Sequence, residues 1–169
     1  MRLLMSAAFS TALTFPACAQ EMLVTVEVPR LEVAEYHAPY LAMWVEGADG
    51  EATSLAVWYD VELRNEEGET WLKDLRQWWR RIGRETEMPV DGVSGPTRPP
   101  GEHKLGLDAA DPQIAALSGG KYEFVIEAAR EVGGREILRA PFEWPASAEQ
   151  KLELKGEREL GLVTVVLKP

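Results

Sequence analysis

The run YLAMWVEGADGEATSLAVWY, residues 40–59, contains two apolar segments separated by a short polar stretch. Residues 40–45 and 54–59 are rich in aromatic and aliphatic side chains, which favour extended structure in runs this short. Ala48-Asp49-Gly50 between them is typical of a turn. The run therefore predicts a β-hairpin, and the rest of the chain follows the same pattern.

Further short apolar runs on both sides predict more strands. Residues 22–28 alternate apolar and polar side chains, which is the period of a half-buried strand, and Gly133-Gly134 forms a turn between two later runs. Seven or eight strands joined by turns predict an all-β fold, an antiparallel β-sandwich with its large tryptophans in the core. The additional strands are predicted at residues 22–28, 102–107, 121–128, 137–144 and 160–167, and the core tryptophans are Trp44, Trp58 and Trp144.

One segment has a helical period instead. Apolar side chains recur at i, i+4, i+7, i+8 and i+11, and they predict one inserted amphipathic α-helix with Thr70 as N-cap and Gly83 as its C-terminal stop. Residues 88–101 then form a loop rich in Pro and Gly, without regular structure. The apolar stripe, which we expect to pack against the sandwich, is Trp71, Leu75, Trp78, Trp79 and Ile82. The basic residues on the same helix are Lys73, Arg76, Arg80, Arg81 and Arg84.

Residues 1–19 differ from the rest of the chain. A positive start, a mostly apolar run and Ala17-Cys18-Ala19 predict a signal peptide that is cleaved after Ala19. The apolar run is too short to span a bilayer permanently, so no membrane-spanning segment is predicted. Lipidation at Cys18 is the alternative, which the preceding residues fit poorly. We therefore predict export to the periplasm and a single domain over residues 20–169.

Composition excludes several kinds of function. The chain has 18 basic and 28 acidic residues and a formal net charge of −10, which argues against binding to nucleic acid or anionic membranes. Cleavage after Ala19 removes Cys18, the one cysteine, and with it any disulfide or cysteine nucleophile. His37 and His103 lack the paired spacing of metal ligands, and no serine lies in a G-x-S-x-G motif. We expect a protein with neither a catalytic nor a metal site.

The order of motifs between residue 40 and about residue 144 resembles an uncharacterised periplasmic family, domain of unknown function 2271. The second half, with its Pro-Gly-Glu-His and Gly-x-Tyr strands, is also similar to the immunoglobulin-like domain of flagellar hook-capping proteins. The resemblance implies a periplasmic immunoglobulin-like β-sandwich and supplies no settled activity. The motifs that carry it are YLAMWVE (40–46), LAVW (55–58), WLKDLRQWW (71–79), VDGVSGPT (90–97), PGEH (100–103), GKY (120–122) and EAARE (127–131).

The stretch DGVSGPT, residues 91–97, is similar to the acceptor motif D-(G/A)-x-(S/T)-G-A-T of extracytoplasmic redox proteins that carry flavin. In those proteins a dedicated transferase joins the phosphate of FMN to the hydroxyl of the last threonine. The basic, tryptophan-rich helix would then offer a ring for the isoalloxazine to stack on and positive charge near the reduced flavin. The implied partners are the FMN transferase and a membrane redox protein. The resemblance implies Thr97 as the acceptor, Arg98 as a partner of the phosphate, and a loop shaped by Asp91, Gly92, Ser94 and Gly95.

Two interpretations of this stretch stay open. Pro96 stands where the flavin motif has Ala, and proline fixes its own φ and restricts Gly95 before it. The segment SGPTRPPG, residues 94–101, is also typical of a rigid turn between a helix and a strand. The sequence therefore predicts either an electron-transfer protein with FMN on Thr97 or a cofactor-free β-sandwich that acts as a binding or assembly module in the periplasm.

Overall fold

The computed structural model describes residues 20–169, and nine strands form within them. The predicted signal peptide and the alternative lipidation site at Cys18 lie outside the described residues. The strands are β1 (Glu21–Val28), β2 (Tyr40–Gly47), β3 (Ala52–Tyr59), β4 (Ser94–Pro96), β5 (Gly101–Asp108), β6 (Gly120–Ala129), β7 (Arg135–Trp144), β8 (Gln150–Lys155) and β9 (Leu162–Lys168). The α-helices are α1 (Arg76–Arg81) and α2 (Pro112–Ala115), and 3-10 helices span Arg64–Asp74 and Gly83–Glu85.

Two sheets pack face to face, which confirms the predicted β-sandwich. The four-stranded sheet has the order β5-β1-β9-β8 and the five-stranded sheet the order β4-β3-β2-β6-β7. Every pair is antiparallel except β3 and β4, which run parallel, so the five-stranded sheet is mixed. The parallel pair arises because a long connection carries the chain across the sheet before it returns to the edge beside β3.

Strand β2 is buried on both faces, which explains its continuous apolar sequence. Leu41, Met43 and Val45 face the four-stranded sheet and belong to the main core. Ala42 and Trp44, which point the other way, belong to a second cluster beneath the helices. A strand covered on both sides has no polar face, so its apolar residues do not alternate with polar ones.

The layer over the outer face of the five-stranded sheet, residues 64–85, is named the helical segment here. The prediction of one continuous α-helix is wrong, because the segment is divided into a 3-10 helix that ends at Asp74 and a short α-helix that begins at Arg76. Its buried residues Leu72, Leu75 and Trp78 are spaced by three, the period of a 3-10 helix. Thr70 lies inside the 3-10 helix rather than at its N-cap, and Gly83 opens a further 3-10 helix.

The predicted tryptophan positions divide between core and surface. Trp44, Trp58 and Trp144 are buried, as predicted. Trp78 is fully buried, but Trp71, which the helical stripe placed against the core, is 46% exposed.

Strand β8 was not predicted, because its sequence QKLELK is half charged. It forms an edge strand, where charged side chains reach solvent.

Candidate functional site

The loop that resembles a flavin acceptor lies at the edge of the five-stranded sheet. Ser94, Gly95 and Pro96 form strand β4 and pair with Val57, Trp58 and Tyr59 of β3. The amide of Val57 donates to the Val93 carbonyl at 2.8 Å, and the Thr97 amide donates to the Tyr59 carbonyl at 3.2 Å. The prediction of a loop without regular structure is therefore wrong for residues 94–96, which this backbone ladder fixes in place.

Thr97 follows β4 directly, and its side chain is partly exposed. Its hydroxyl Oγ1 donates a hydrogen bond of 3.0 Å to the carboxylate of Asp60. Asp60 is the first residue after β3, so the parallel register that pairs Tyr59 with Pro96 also places Asp60 beside Thr97. The loop thus presents one hydroxyl at the surface, with a carboxylate in hydrogen-bond contact.

A second hydrogen bond links Asp60 to the interior. The hydroxyl of Tyr40 lies 3.4 Å from the other carboxylate oxygen of Asp60 and 3.2 Å from the Gly68 carbonyl, and these two acceptors share its single proton. Burial, followed by the nearby Asp60 carboxylate, raises the pKa of Tyr40 well above its usual range. The phenol therefore stays protonated and keeps its donor role.

The glycines and the serine of the motif set the shape of the loop. Gly92 adopts φ +71, which favours glycine, and its carbonyl accepts a hydrogen bond of 2.9 Å from Gln113 Nε2. Ser94 Oγ accepts from the Val90 amide at 2.9 Å. A Cβ on Gly95 would lie 3.3 Å from the Trp58 ring, so the absence of a side chain there allows β4 to pack closely.

Arg98 lies over the Trp58 ring, with its guanidinium carbon 4.9 Å from the ring centre. Its Nε is buried and has no hydrogen-bond partner, and within residues 20–169 no carboxylate lies within ion-pair distance of its guanidinium. Asp91, the first residue of the motif, is exposed. The positive charge of Arg98 is therefore still available to an anion one residue away from the Thr97 hydroxyl.

A cleft of about 500 Å³ opens beside this loop, and it is named the Trp71 cleft here. Asp60 and Tyr40 line it, so one wall of the cleft is formed by the carboxylate that accepts from the Thr97 hydroxyl and by the phenol bonded to that carboxylate. Leu63, Trp71 and Val132 line it as well, and their side chains are 44%, 46% and 88% exposed. No local sequence pattern indicates this cleft, because its lining residues come from segments far apart in the chain.

The charge of the Trp71 cleft is negative. Its carboxylates are Asp60, Glu67, Asp74 and Glu131. Arg130 also lines it, but two hydrogen bonds of 2.8 and 3.2 Å tie its guanidinium to Glu159, and both side chains are almost fully buried. None of the basic residues of the predicted helix belongs to the lining, but Lys73 Nζ lies 5.6 Å from the ring centre of Trp71, which does. Arg81 lies 3.6 Å from Glu46, and Arg76 lines a neighbouring pocket.

The two histidines contact different parts of the site. His37 lines the cleft between Glu35 and Glu131, at 3.3 and 3.5 Å. His103 Nε2 lies 2.7 Å from the Pro99 carbonyl, to which it donates. In the part of the chain that the structure describes, no three His, Cys, Asp or Glu side chains form a group that could hold a metal ion.

Residues 21–162 match the family described as "Predicted periplasmic protein (DUF2271)", and the chain belongs to this family. The match confirms the resemblance to domain of unknown function 2271 and the periplasmic location. Neither a curated protein nor a solved structure matches the chain. Across residues 20–169, every helix is too short or too polar to cross a membrane.

Proposed function

We propose that this periplasmic protein transfers electrons through FMN that is bound covalently to Thr97. The observation that carries the proposal is the Thr97 hydroxyl itself, which is partly exposed and donates to the Asp60 carboxylate at 3.0 Å. An acceptor hydroxyl must reach the active site of a modifying enzyme and must lose its proton there. Exposure supports the first requirement, and a carboxylate at hydrogen-bond distance supports the second.

The attachment step balances with an FMN donor of the phosphoanhydride class, such as FAD. Thr97 Oγ1 forms a new bond to the phosphorus of the FMN unit, and the anhydride bond to AMP breaks. AMP leaves with the bond's electron pair, and the hydroxyl proton passes to Asp60. Asp60 is thus the positioning residue for the acceptor and the first proton acceptor.

Arg98 would hold the phosphate after attachment. Its guanidinium lies over the Trp58 ring and has no carboxylate partner among the described residues, so a phosphodiester on Thr97 would give it an anionic partner. The bound FMN supplies reversible uptake and release of electrons. A covalent link also retains the cofactor in the periplasm, where a freely diffusing one would be lost.

The departure from the flavin motif at Pro96 is compatible with this geometry. Pro96 is exposed in β4, the edge strand of its sheet. Edge strands tolerate the missing amide of proline, and its fixed φ suits extended backbone. Pro96 therefore stiffens the segment before Thr97 and leaves the hydroxyl at the surface.

The experiment is export of the protein from a host that contains an FMN transferase, followed by intact mass measurement. We expect the mass to rise by one FMN less one water, and we expect Thr97→Ala to abolish the rise. Thr86→Ala is the matched control, because Thr86 is also a partly exposed threonine and its hydroxyl donates to the Ile82 carbonyl. Asp60→Asn retains a hydrogen-bond acceptor but loses the base, so the adduct should form more slowly.

An unmodified protein from a host whose transferase modifies a known acceptor would contradict the proposal. The cofactor-free binding module would then remain as the candidate function. The exposed apolar residues of the Trp71 cleft favour that alternative, because exposed apolar patches commonly mark binding sites.

A further inference from the structure

We infer that the Trp71 cleft binds the isoalloxazine ring when FMN is attached to Thr97. The inference rests on the proposed function and adds the part of the molecule that contacts the ring. Three independent features of the described residues carry it: the position of the cleft beside the acceptor, the aromatic and apolar surface inside it, and the sign of its charge.

The position follows from Asp60. One carboxylate oxygen of Asp60 accepts from Thr97 Oγ1 at 3.0 Å, and the other lies 3.4 Å from the Tyr40 hydroxyl in the wall of the cleft. Asp60 therefore contacts the acceptor hydroxyl and also forms part of the cleft lining. The ribityl chain of FMN is long enough to pass Asp60 and bring the ring into the cleft.

The surface of the cleft suits a planar aromatic group. Its volume of about 500 Å³ lies within the range of roughly 300–1,000 Å³ that is usual for small-molecule sites. Within residues 20–169, six large apolar side chains are exposed, and three of them line this cleft: Leu63, Trp71 and Val132. The indole ring of Trp71 is 46% exposed at the cleft, and the exposed side chain of Lys73 lies over it with Nζ 5.6 Å from the ring centre. Stacking of the isoalloxazine ring uses the other face of the indole or displaces this lysine.

The charge of the cleft fixes the orientation of the cofactor. Four carboxylates line it, while the guanidinium of Arg130 is already paired with Glu159. Glu67, Asp74 and Glu131 repel a phosphate that enters the cleft, whereas the oxidised isoalloxazine ring is uncharged and enters without that penalty. The phosphodiester on Thr97 therefore stays at the edge of the cleft, where Arg98 offsets the charge of Asp60, and the ring lies inside.

The same carboxylates have a consequence for electron uptake. Negative charge close to the ring opposes the arrival of an electron, so it lowers the midpoint potential of the bound cofactor. Removal of a carboxylate from the cleft should raise that potential. A flavin that points away from the cleft into solvent would not respond, because exposed charges at a distance are screened by salt.

The experiment uses the exported, FMN-loaded protein and measures two things separately: covalent attachment of FMN and binding of its ring in the cleft. Intact mass gives the fraction that carries FMN, and flavin fluorescence reports contact with Trp71, because a neighbouring indole quenches an excited flavin. We expect Trp71→Leu to load fully and to fluoresce several-fold more strongly than the unsubstituted protein. Trp79→Leu is the matched control, because Trp79 lies outside the cleft lining, and its fluorescence should not change.

The midpoint potential gives a second measurement on the same samples. Asp74→Asn and Glu131→Gln, which neutralise carboxylates of the cleft, should raise the potential. Glu153→Gln, on β8 of the other sheet, should leave it unchanged.

Fully loaded protein whose flavin is as fluorescent as free FMN, with no response to Trp71→Leu, would contradict binding of the ring in the cleft but not attachment at Thr97. Protein that carries no FMN would instead contradict the proposed function, and ring binding in the cleft with it. The mass measurement distinguishes these two failures before any fluorescence is recorded.

Discussion

The two faces of the five-stranded sheet differ in what covers them. The inner face packs against the four-stranded sheet, and its core is mostly aliphatic and closed to solvent. The outer face is covered by the helical segment, and its cluster contains Tyr40, Trp44, Tyr59 and Trp78. The polar atoms of these buried rings need hydrogen-bond partners. Trp44 Nε1 donates to Glu46 and Trp78 Nε1 donates to Ser54 Oγ, each at 2.8 Å.

The difference shows where the molecule has room for function. A sheet-on-sheet interface closes along its whole length, whereas short helices laid over a sheet leave gaps at their ends. The Trp71 cleft opens at one such gap, beside the helical segment. We therefore expect substitutions on the inner face to change stability, and substitutions at the edge of the outer layer to change attachment and binding of the proposed FMN with little effect on stability.

The largest effect should come from the inner face. Phe124 on β6 is fully buried in the main core, so Phe124→Ala removes a ring and leaves a cavity. We expect the free energy of unfolding to fall by about 3–5 kcal/mol, measured by urea denaturation. A loss below about 1 kcal/mol would show that the two sheets do not pack as described.

Glu136 should give the next largest effect, because it joins β7 to the turn before β9. Burial alone would raise its pKa, but the backbone N–H groups of residues 157–160 donate to its carboxylate and together lower the pKa. This stabilisation is present above the ordinary pKa of 4.5 and is lost as the pH falls through the lowered value. The free energy of unfolding of Glu136→Gln should be about 1–3 kcal/mol lower at pH 7 than that of the unsubstituted protein, and it should decrease less on acidification.

Glu127 should show the opposite pH dependence, and it lies on the outer side. Its buried carboxylate accepts from the amides of Gln77 and Trp78 at the start of α1. Burial nevertheless raises its pKa above 4.5, against the lowering by these amides and Arg135. The folded state therefore holds the proton more tightly, and the free energy of unfolding should decrease as the pH rises from 4.5 through the raised value.

Glu127→Gln should remove that decrease, since glutamine does not titrate. Urea denaturation of both proteins at a series of pH values above 4.5 would measure this change in the free energy of unfolding. Equal slopes for the variant and the unsubstituted protein would mean that Glu127 does not carry the effect.

The smallest change in stability should come from Thr97→Ala. Its partly exposed hydrogen bond to Asp60 contributes at most about 1 kcal/mol, so the melting temperature should barely move. A large loss of stability would indicate that Thr97 has a structural role, which would weaken its assignment as an acceptor.

The sequence predicts the inner face better than the outer one, for physical reasons. Alternating residues in β1 determine the burial of that strand locally, and Trp58 and Trp144 of the main core are buried as predicted. The period of the helical segment is ambiguous, because both a 3-10 and an α-helical spacing pass through Leu75 and Trp78. The structure takes the spacing of three, which buries Leu72 and leaves Trp71 at the surface.

The candidate site depends on contacts that no local pattern encodes. The motif around Thr97 is visible in the sequence, but its partner Asp60 lies 37 positions earlier. The two residues meet because β4 pairs with β3 in parallel after a long crossover. The register of such a pair, and the cleft beside it, follow from tertiary packing alone.

The most direct test of the account is peptide mapping of the exported protein by mass spectrometry. Trypsin should release residues 85–104 as one fragment, because Arg98 precedes a proline. This fragment contains both Thr86 and Thr97, so fragmentation can assign the modified residue. The account predicts one FMN on Thr97; an unmodified fragment, or FMN on Thr86 or Ser94, would contradict it.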